Sequence, residues 1–233
     1  MHENDPSDTT EEQYRSRSTS NDTKTGGQRR SKSVEEVAEA YAEVADKLAK
    51  WRGLDRHFAG RYRRQQFCDA QGRVLDVACG VGRNFQYLSQ ASEVVGIDVS
   101  TDLLTHAAAE LDESDIDGTV HQMDAQALTF PDDSFDTVIS SFSTCTFPDP
   151  IAALQEMERV CRPDGQILLL EHNRSDAAPL AWLQDRRAES QYEKNGCRLD
   201  HEPLATVNTA GLSVQQSSKH VLGLVMTIDA IPR

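Results

Sequence analysis

The chain has 233 residues, 38% of them hydrophobic, and a formal net charge of −14, enough for one α/β domain carrying a tail. No apolar run nears the roughly 20 residues of a membrane-spanning helix, and the start MHENDPSDTTEEQ lacks the basic-then-apolar order of a secretory signal, so a cytoplasmic protein is expected. The charge lies wholly beyond residue 33, where 32 acids face 18 bases, and a surface of that sign repels phosphate backbones, which argues against general nucleic-acid binding.

Residues 1–33 are rich in Ser, Thr, Asp, Gly and Arg without apolar periodicity; a disordered tail is expected there, with the folded domain over 34–233. Ser33 opens a helix, since SVEE sets an N-cap hydroxyl three residues before Glu36, the reciprocal capping box. Val37, Tyr41, Val44 and Leu48 follow at helical spacing and give it one apolar face. From Arg73 onward β-branched runs alternate with amphipathic stretches, the rhythm of a parallel sheet covered by helices on both faces. Strands are expected at RVLDVA, EVVGID, GTVHQM, FDTVISS and QILLLEH, and helices at RNFQYLSQA, TDLLTHAAAEL and DPIAALQEMERVC, the last capped by Asp149 with Pro150 in its first turn. RPDGQ suits a turn. LAWLQDRRAESQYEK and PLATVNTAG suit two more helices, and LSVQQSS and HVLGLVMTIDAI a final antiparallel pair joined by a tight turn.

The five cysteines, at 68, 79, 145, 161 and 197, show no CxxC pair and no histidine at zinc-ligand spacing, so free thiols and no metal are expected. Lysine is scarce beside arginine, six against 18, a balance that resembles proteins of salt-filled cytoplasm.

In an open parallel sheet ligands collect outside the carboxyl ends of the strands. Asp76 to Gly82, Asp98, Asp124 and the SSFSTC stretch all fall at such ends and should converge. In ACGVG, Gly80 and Gly82 lack a Cβ, can take positive φ and let backbone approach a ligand. A dinucleotide fingerprint would need a third glycine where Phe85 stands, and Asp76 beside a pyrophosphate would set two negative groups together. That weighs against the alternative of an NAD-dependent dehydrogenase. A cationic, amine-bearing nucleoside fits better, with Asp76 favouring the ammonium and Asp98 accepting from a ribose diol.

VLDVACGVGRN, VVGIDVS, MDAQALTFPDDSFDTVIS and LQEMERVCRPDGQILLLEH, in this order, resemble the successive motifs of class I S-adenosylmethionine-dependent methyltransferases. The likeness, over about residues 34–233, is greatest to the group of the ubiquinone and menaquinone biosynthesis and phospholipid methyltransferases. It implies a Rossmann-like seven-stranded α/β sheet, mostly parallel with the last strand antiparallel, and S-adenosylmethionine as cofactor. It further implies that Asp76, Ala78, Gly80 and Gly82 surround the methionine part, Asp98 holds the ribose with Val99 against the adenine face, Asp124 and Ala125 read the adenine edge, and Ser140 lies near the carboxylate and sulfonium. Tyr41 corresponds to a tyrosine of the family's N-terminal pattern, from which YAEVADKL departs by lacking the acid and the second tyrosine.

The sulfonium is an activated donor, so holding acceptor and methyl in line and excluding water is the main task. Glu171 and His172, closing the fifth strand, are the candidates for removing an acceptor proton. Cys145, Trp182 and Arg186 are candidates for the acceptor pocket, the last two in a segment whose pattern EHNRS…W…DRRAE…GCRLD resembles a branch of methyltransferases linked to lipophilic acceptors, which implies a quinone precursor, a phospholipid amine or a thiol; its apolar wall and arginines suit a lipophilic small molecule with a polar head. Peripheral membrane contact is compatible with that pattern. The reading from another class is a non-catalytic module that only binds the cofactor.

Overall fold

The computed structural model describes residues 31–233, so the expected tail over 1–33 lies almost wholly outside the described residues. The described residues begin with α1 (Val34–Ala42), α2 (Ala45–Lys50), α3 (Arg52–Phe58) and α4 (Gly60–Phe67). Ser33 makes the expected capping box with Glu36. The single helix expected through Leu48 instead breaks at Glu43 and Val44, where Val44 sits at ψ 0° and has no side chain with which to cap α2. The break turns Val37 and Ala45 both inward. α3 and α4 were not foreseen.

The sheet contains β1 (Gln71–Val77), β2 (Gln90–Asp98), β3 (Gly118–Gln122), β4 (Phe135–Ser141), β5 (Cys161–His172), β6 (Ser213–His220) and β7 (Val225–Ile231), in the spatial order β3-β2-β1-β4-β5-β7-β6. β7 pairs antiparallel with both β5 and β6, and the other pairings are parallel. The order reverses direction at β1, the switch point where such sheets open a crevice. Helices α5 (Thr101–Asp112), α6 (Pro150–Val160), α7 (Ala178–Asn195) and α8 (Pro203–Ala210) complete the chain. No described helix is long and apolar enough to cross a membrane.

Two cores, one on each side of the sheet's central strands, anchor it. Leu75, Val77, Val138, Ile167 and Leu169 join Leu154, Met157 and Val207 in one, while Val74, Val94, Ile139 and Leu170 join Phe67, Phe85 and Leu104 in the other. The run VLDV and the run ILLL thus bury successive residues on opposite faces, each aliphatic worth about 1.5–3 kcal/mol.

Three expectations yield. RNFQYLSQA is not an α-helix: it holds one 3-10 turn, Phe85–Tyr87, and β2 already starts at Gln90. An α-helix of the seven residues between Gly82 and Gln90 would advance about 10 Å, about half the length of the strand it must retrace. RPDGQ is not a turn between elements but an irregularity within β5, where Cys161 and Gln166 pair with Phe135 and Thr137. The last hairpin turns at Val221, Leu222 and Gly223, all at positive φ, because β6 continues through His220.

Candidate functional site

β1 ends in a loop whose backbone is unusual at three points: Ala78, Gly80 and Gly82 have φ of 55°, 57° and 76°. The two glycines have different reasons. A Cβ on Gly80 would meet nothing within 4 Å, so its bareness leaves open space. A Cβ on Gly82 would come within 2.8 Å of the Phe85 ring, so its bareness serves packing. Gly80→Val is therefore expected to fill the open space and strain a β-branched residue at positive φ. Gly82→Ala is expected to destabilise the fold by about 1–3 kcal/mol with ligand affinity in the folded fraction retained. Thermal denaturation with and without S-adenosylhomocysteine separates the two, and equal losses of ligand-induced stabilisation would contradict this division.

The open space belongs to a cavity of about 410 Å³ at the carboxyl ends of β1, β2 and β3, within the roughly 300–1,000 Å³ of small-molecule sites. Of the residues foreseen, Tyr41, Ala78, Gly80, Asp98, Val99, Asp124 and Ala125 all line it. Asp98, 7% exposed, accepts from Gly80 N at 3.0 Å through Oδ2 and from Ser100 N at 3.0 Å through Oδ1. It thus ties the glycine loop to the N-terminus of α5. Burial raises its pKa against the lowering by these N–H groups. Asp124 folds back on Gln126, accepting from its N at 2.9 Å and from its Nε2 at 2.9 Å and 3.1 Å. Tyr41 has its phenol pKa raised, chiefly by burial.

Other foreseen residues do not line the cavity. Asp76 is fully buried beneath the loop, both its oxygens accepting from Asn84 Nδ2 at 3.0 Å. Burial pushes its pKa up to about 7, against the Asn84 hydrogen bonds and the Arg63 charge. Ser140 is spent on Val77 O at 2.8 Å and on Ser143. Glu171 is also fully buried: it accepts from Ser143 N at 3.1 Å and Thr144 N at 3.3 Å and so clamps the loop after β4. Burial pushes its pKa up to about 7. His172 turns to Cys197, and Cys145 lies behind the wall against the same Cys197. Trp182 is 61% exposed with the Arg186 guanidinium 5.5 Å from its ring, so this pair packs on itself at the surface. The expected acceptor wall thus comes from elsewhere, because α7 presents that face outward.

Other segments supply it, among them the apolar face with Val37 and Leu48 and the SSFSTC stretch, both legible in the sequence though not as an acceptor wall. Val34, Val37 and Leu48 from α1 and α2, Leu103 from α5, and Phe142, Phe147 and Pro148 after β4 form the apolar walls. Polar additions are Asp55, Arg63 and Arg83. Arg63, 4% exposed, donates from Nη1 to Asn84 Oδ1 and, at 2.6 Å, to Ser141 Oγ. Asp55 pairs with Arg63 at 3.5 Å and with Arg83 at 2.9 Å. Arg83 also donates to Leu48 O at 2.7 Å, fastening α2 to the glycine loop. A basic helix, GRYRRQQF, was the one available signal, and charge patterning alone does not say which arginine turns inward.

Comparison with known proteins places this geometry. Residues 75–169 match the family described as a methyltransferase domain. A phosphatidylethanolamine N-methyltransferase of Cereibacter sphaeroides is 38% identical over 115 residues, 48% of this chain and 57% of that protein. A ubiquinone/menaquinone biosynthesis C-methyltransferase of Proteus mirabilis is 31% identical over 160 residues, 64% of either chain. Across its relatives, the chain spans about half the length of the proteins it matches. The crystal structure of an S-adenosylmethionine-dependent methyltransferase from Thermotoga maritima shares the fold with a TM-score of 0.65 at 18% identity, over 84% of this chain and 100% of that one. Residues 75–169 are thus similar to a methyltransferase domain, set in a fold shared with a solved S-adenosylmethionine-dependent methyltransferase, and S-adenosylmethionine is the cofactor expected of such a domain.

Proposed function

We propose that this chain transfers a methyl group from S-adenosylmethionine to a small lipophilic acceptor. The observation that carries the reading is the cavity itself, in which the bare Gly80, Asp98 and the Asp124–Ala125 pair face apolar walls from α1, α2 and the loop after β4. The residues fit the cofactor. Each oxygen of Asp98 accepts one backbone N–H and keeps lone-pair capacity for a ribose diol. Val99 offers an apolar face to adenine, and Asp124 and Ala125 its edge contacts. Space over Gly80 suits the methionine chain. When bound, the cofactor supplies an electrophilic methyl on a positively charged sulfur.

The chain's own part is to align and to dry. Phe142 and Phe147 with Val37 and Leu48 supply an apolar chamber, which removes water and strengthens every charge interaction inside. Glu171 and His172 do not line this chamber, so the reading uses them as supports rather than bases. The acceptor class follows from those walls, and the named activities of the two bacterial relatives, on a phospholipid amine and on a quinone precursor, point the same way.

Methyl-labelled S-adenosylmethionine incubated with the chain and a cell extract, then partitioned, tests the proposal. Label is expected in the organic-soluble fraction and to vanish with Gly80→Val. Label confined to polar products overturns the acceptor class. Cofactor binding with no labelled product in any fraction leaves a binding module instead.

A further inference from the structure

Behind the cavity wall three donor atoms meet that the sequence keeps 27 and 25 residues apart. Cys145 Sγ is 3.5 Å from Cys197 Sγ, Cys197 Sγ is 3.1 Å from His172 Nε2, and the cluster's donor atoms lie within 4.8 Å of one another. We propose that Cys145, His172 and Cys197 form a binding site for a soft divalent metal ion of the zinc type. It is independent of the methyl-transfer reading.

The distances suit an ion at the centre. Zinc bonds of about 2.3 Å to sulfur and about 2.0–2.1 Å to nitrogen put ligand atoms roughly 3.5–3.8 Å apart in a tetrahedron, so the two separations at Cys197 need change only by tenths of an ångström, and the third pair, Cys145 with His172, starts within 4.8 Å. The donor set is selective: two thiols and an imidazole favour zinc or another thiophilic ion over magnesium or calcium. It also solves a burial problem. Cys145 and Cys197 are 1% and 8% exposed, and two thiolates with a divalent ion sum to no net charge, so the loaded site can stay in the interior without an unpaired ion.

The ligands are held before any ion arrives. His172 ends β5 and is paired there with Val225 of β7. Cys145 O accepts from Arg198 N at 3.1 Å, which fixes the two cysteine segments against each other. Gly196, at φ 76°, ends α7 and turns Cys197 inward. Glu171 holds Ser143 and Thr144, just before Cys145. His172 Nδ1 is buried with no hydrogen-bond partner among the described residues, so the ring is not already committed at both nitrogens. Sequence spacing hid the cluster because its members sit on three elements that meet only at one end of the sheet. With three protein ligands the fourth position remains for water or another small donor.

The full chain, purified under a metal-free reductant, is dialysed against zinc and, separately, cobalt(II). One zinc per chain is expected to survive dialysis, and cobalt to give a sulfur-to-metal charge-transfer band with intense tetrahedral d–d bands. Cys145→Ser and Cys197→Ser should each weaken binding by at least the about 10- to 100-fold that loss of a supporting group costs. Cys68→Ser should bind as the parent does. Circular dichroism and S-adenosylhomocysteine binding verify that each variant is folded, and His172→Gln provides a third ligand change should a serine variant fail to fold. A parent chain that retains no zinc, whether its thiols are free or joined as a disulfide, overturns the site. So does a cobalt spectrum unchanged by Cys197→Ser.

Discussion

Asp98→Ala is expected to weaken S-adenosylhomocysteine binding by about 1–3 kcal/mol, roughly 5- to 150-fold. The carboxylate is 7% exposed at the cavity wall, and its worth to a ligand diol is high because no water replaces it in a dry site. It also accepts from Gly80 N and Ser100 N, so removing it leaves two backbone donors short and loosens the very loop that a ligand contacts. The apo protein should lose a further 1–3 kcal/mol of stability on that account. Asp98→Asn separates the two effects, since one amide oxygen keeps an acceptor in place while the charge is lost. Calorimetric titration should rank parent, Asn and Ala in falling affinity. Equal affinity for parent and Ala would remove Asp98 from the binding site.

The parts of this molecule that were legible in the sequence are those where one residue type has one physical use. Ser33 with Glu36, Asp149 with Pro150, and the glycines at 80 and 82 each satisfy a local backbone demand, and all stand where expected. FDTVISS becomes β4 residue for residue because its β-branched run has no competing helical period. Prediction failed where the decision was made by distant packing. RNFQYLSQA carries a helical pattern, yet the return distance to β2 allows one 3-10 turn. Glu171 and His172 occupy a sheet end, as expected, but a strand's alternating faces aim one at the loop backbone and the other at Cys197. Asp76 was expected at the ligand, and it is instead enclosed by Asn84. Its carboxylate reaches the cavity only through the Asn84 and Arg63 side chains, which no local rule connects to it.

That enclosed network should make Arg63→Met among the most damaging substitutions, at about 3–5 kcal/mol. Arg63 is the buried cation among Asp55, Asn84, Ser141 and Asp76. Methionine preserves much of the aliphatic stem but not the guanidinium, which lies 5.2 Å from the centroid of the Phe142 ring. What goes is the charge, with the hydrogen bonds to Asn84 and Ser141. The loss should depend on pH, and its sign follows from Asp76. Burial raises the folded-state pKa of this carboxyl from 3.8 to about 7, so between those values the folded chain holds a proton that the unfolded chain has released. Stability from this group therefore falls as pH rises through that window, by up to about 1.4 kcal/mol per pH unit, and levels off once the folded form also ionises. Without Arg63 the folded pKa climbs further and the decline runs on past pH 7. Urea denaturation of parent and Arg63→Met at pH 5, 7 and 8 should show the gap between them widening with pH, while Glu171 and the histidines, common to both, largely cancel in the difference. Adding Asp76→Asn to both chains should flatten the gap, because the carboxyl whose ionisation Arg63 eases in this window is then gone. A gap that is constant from pH 5 to 8, or one below about 1 kcal/mol, would mean that Arg63 and Asp76 are not electrostatically linked through this site.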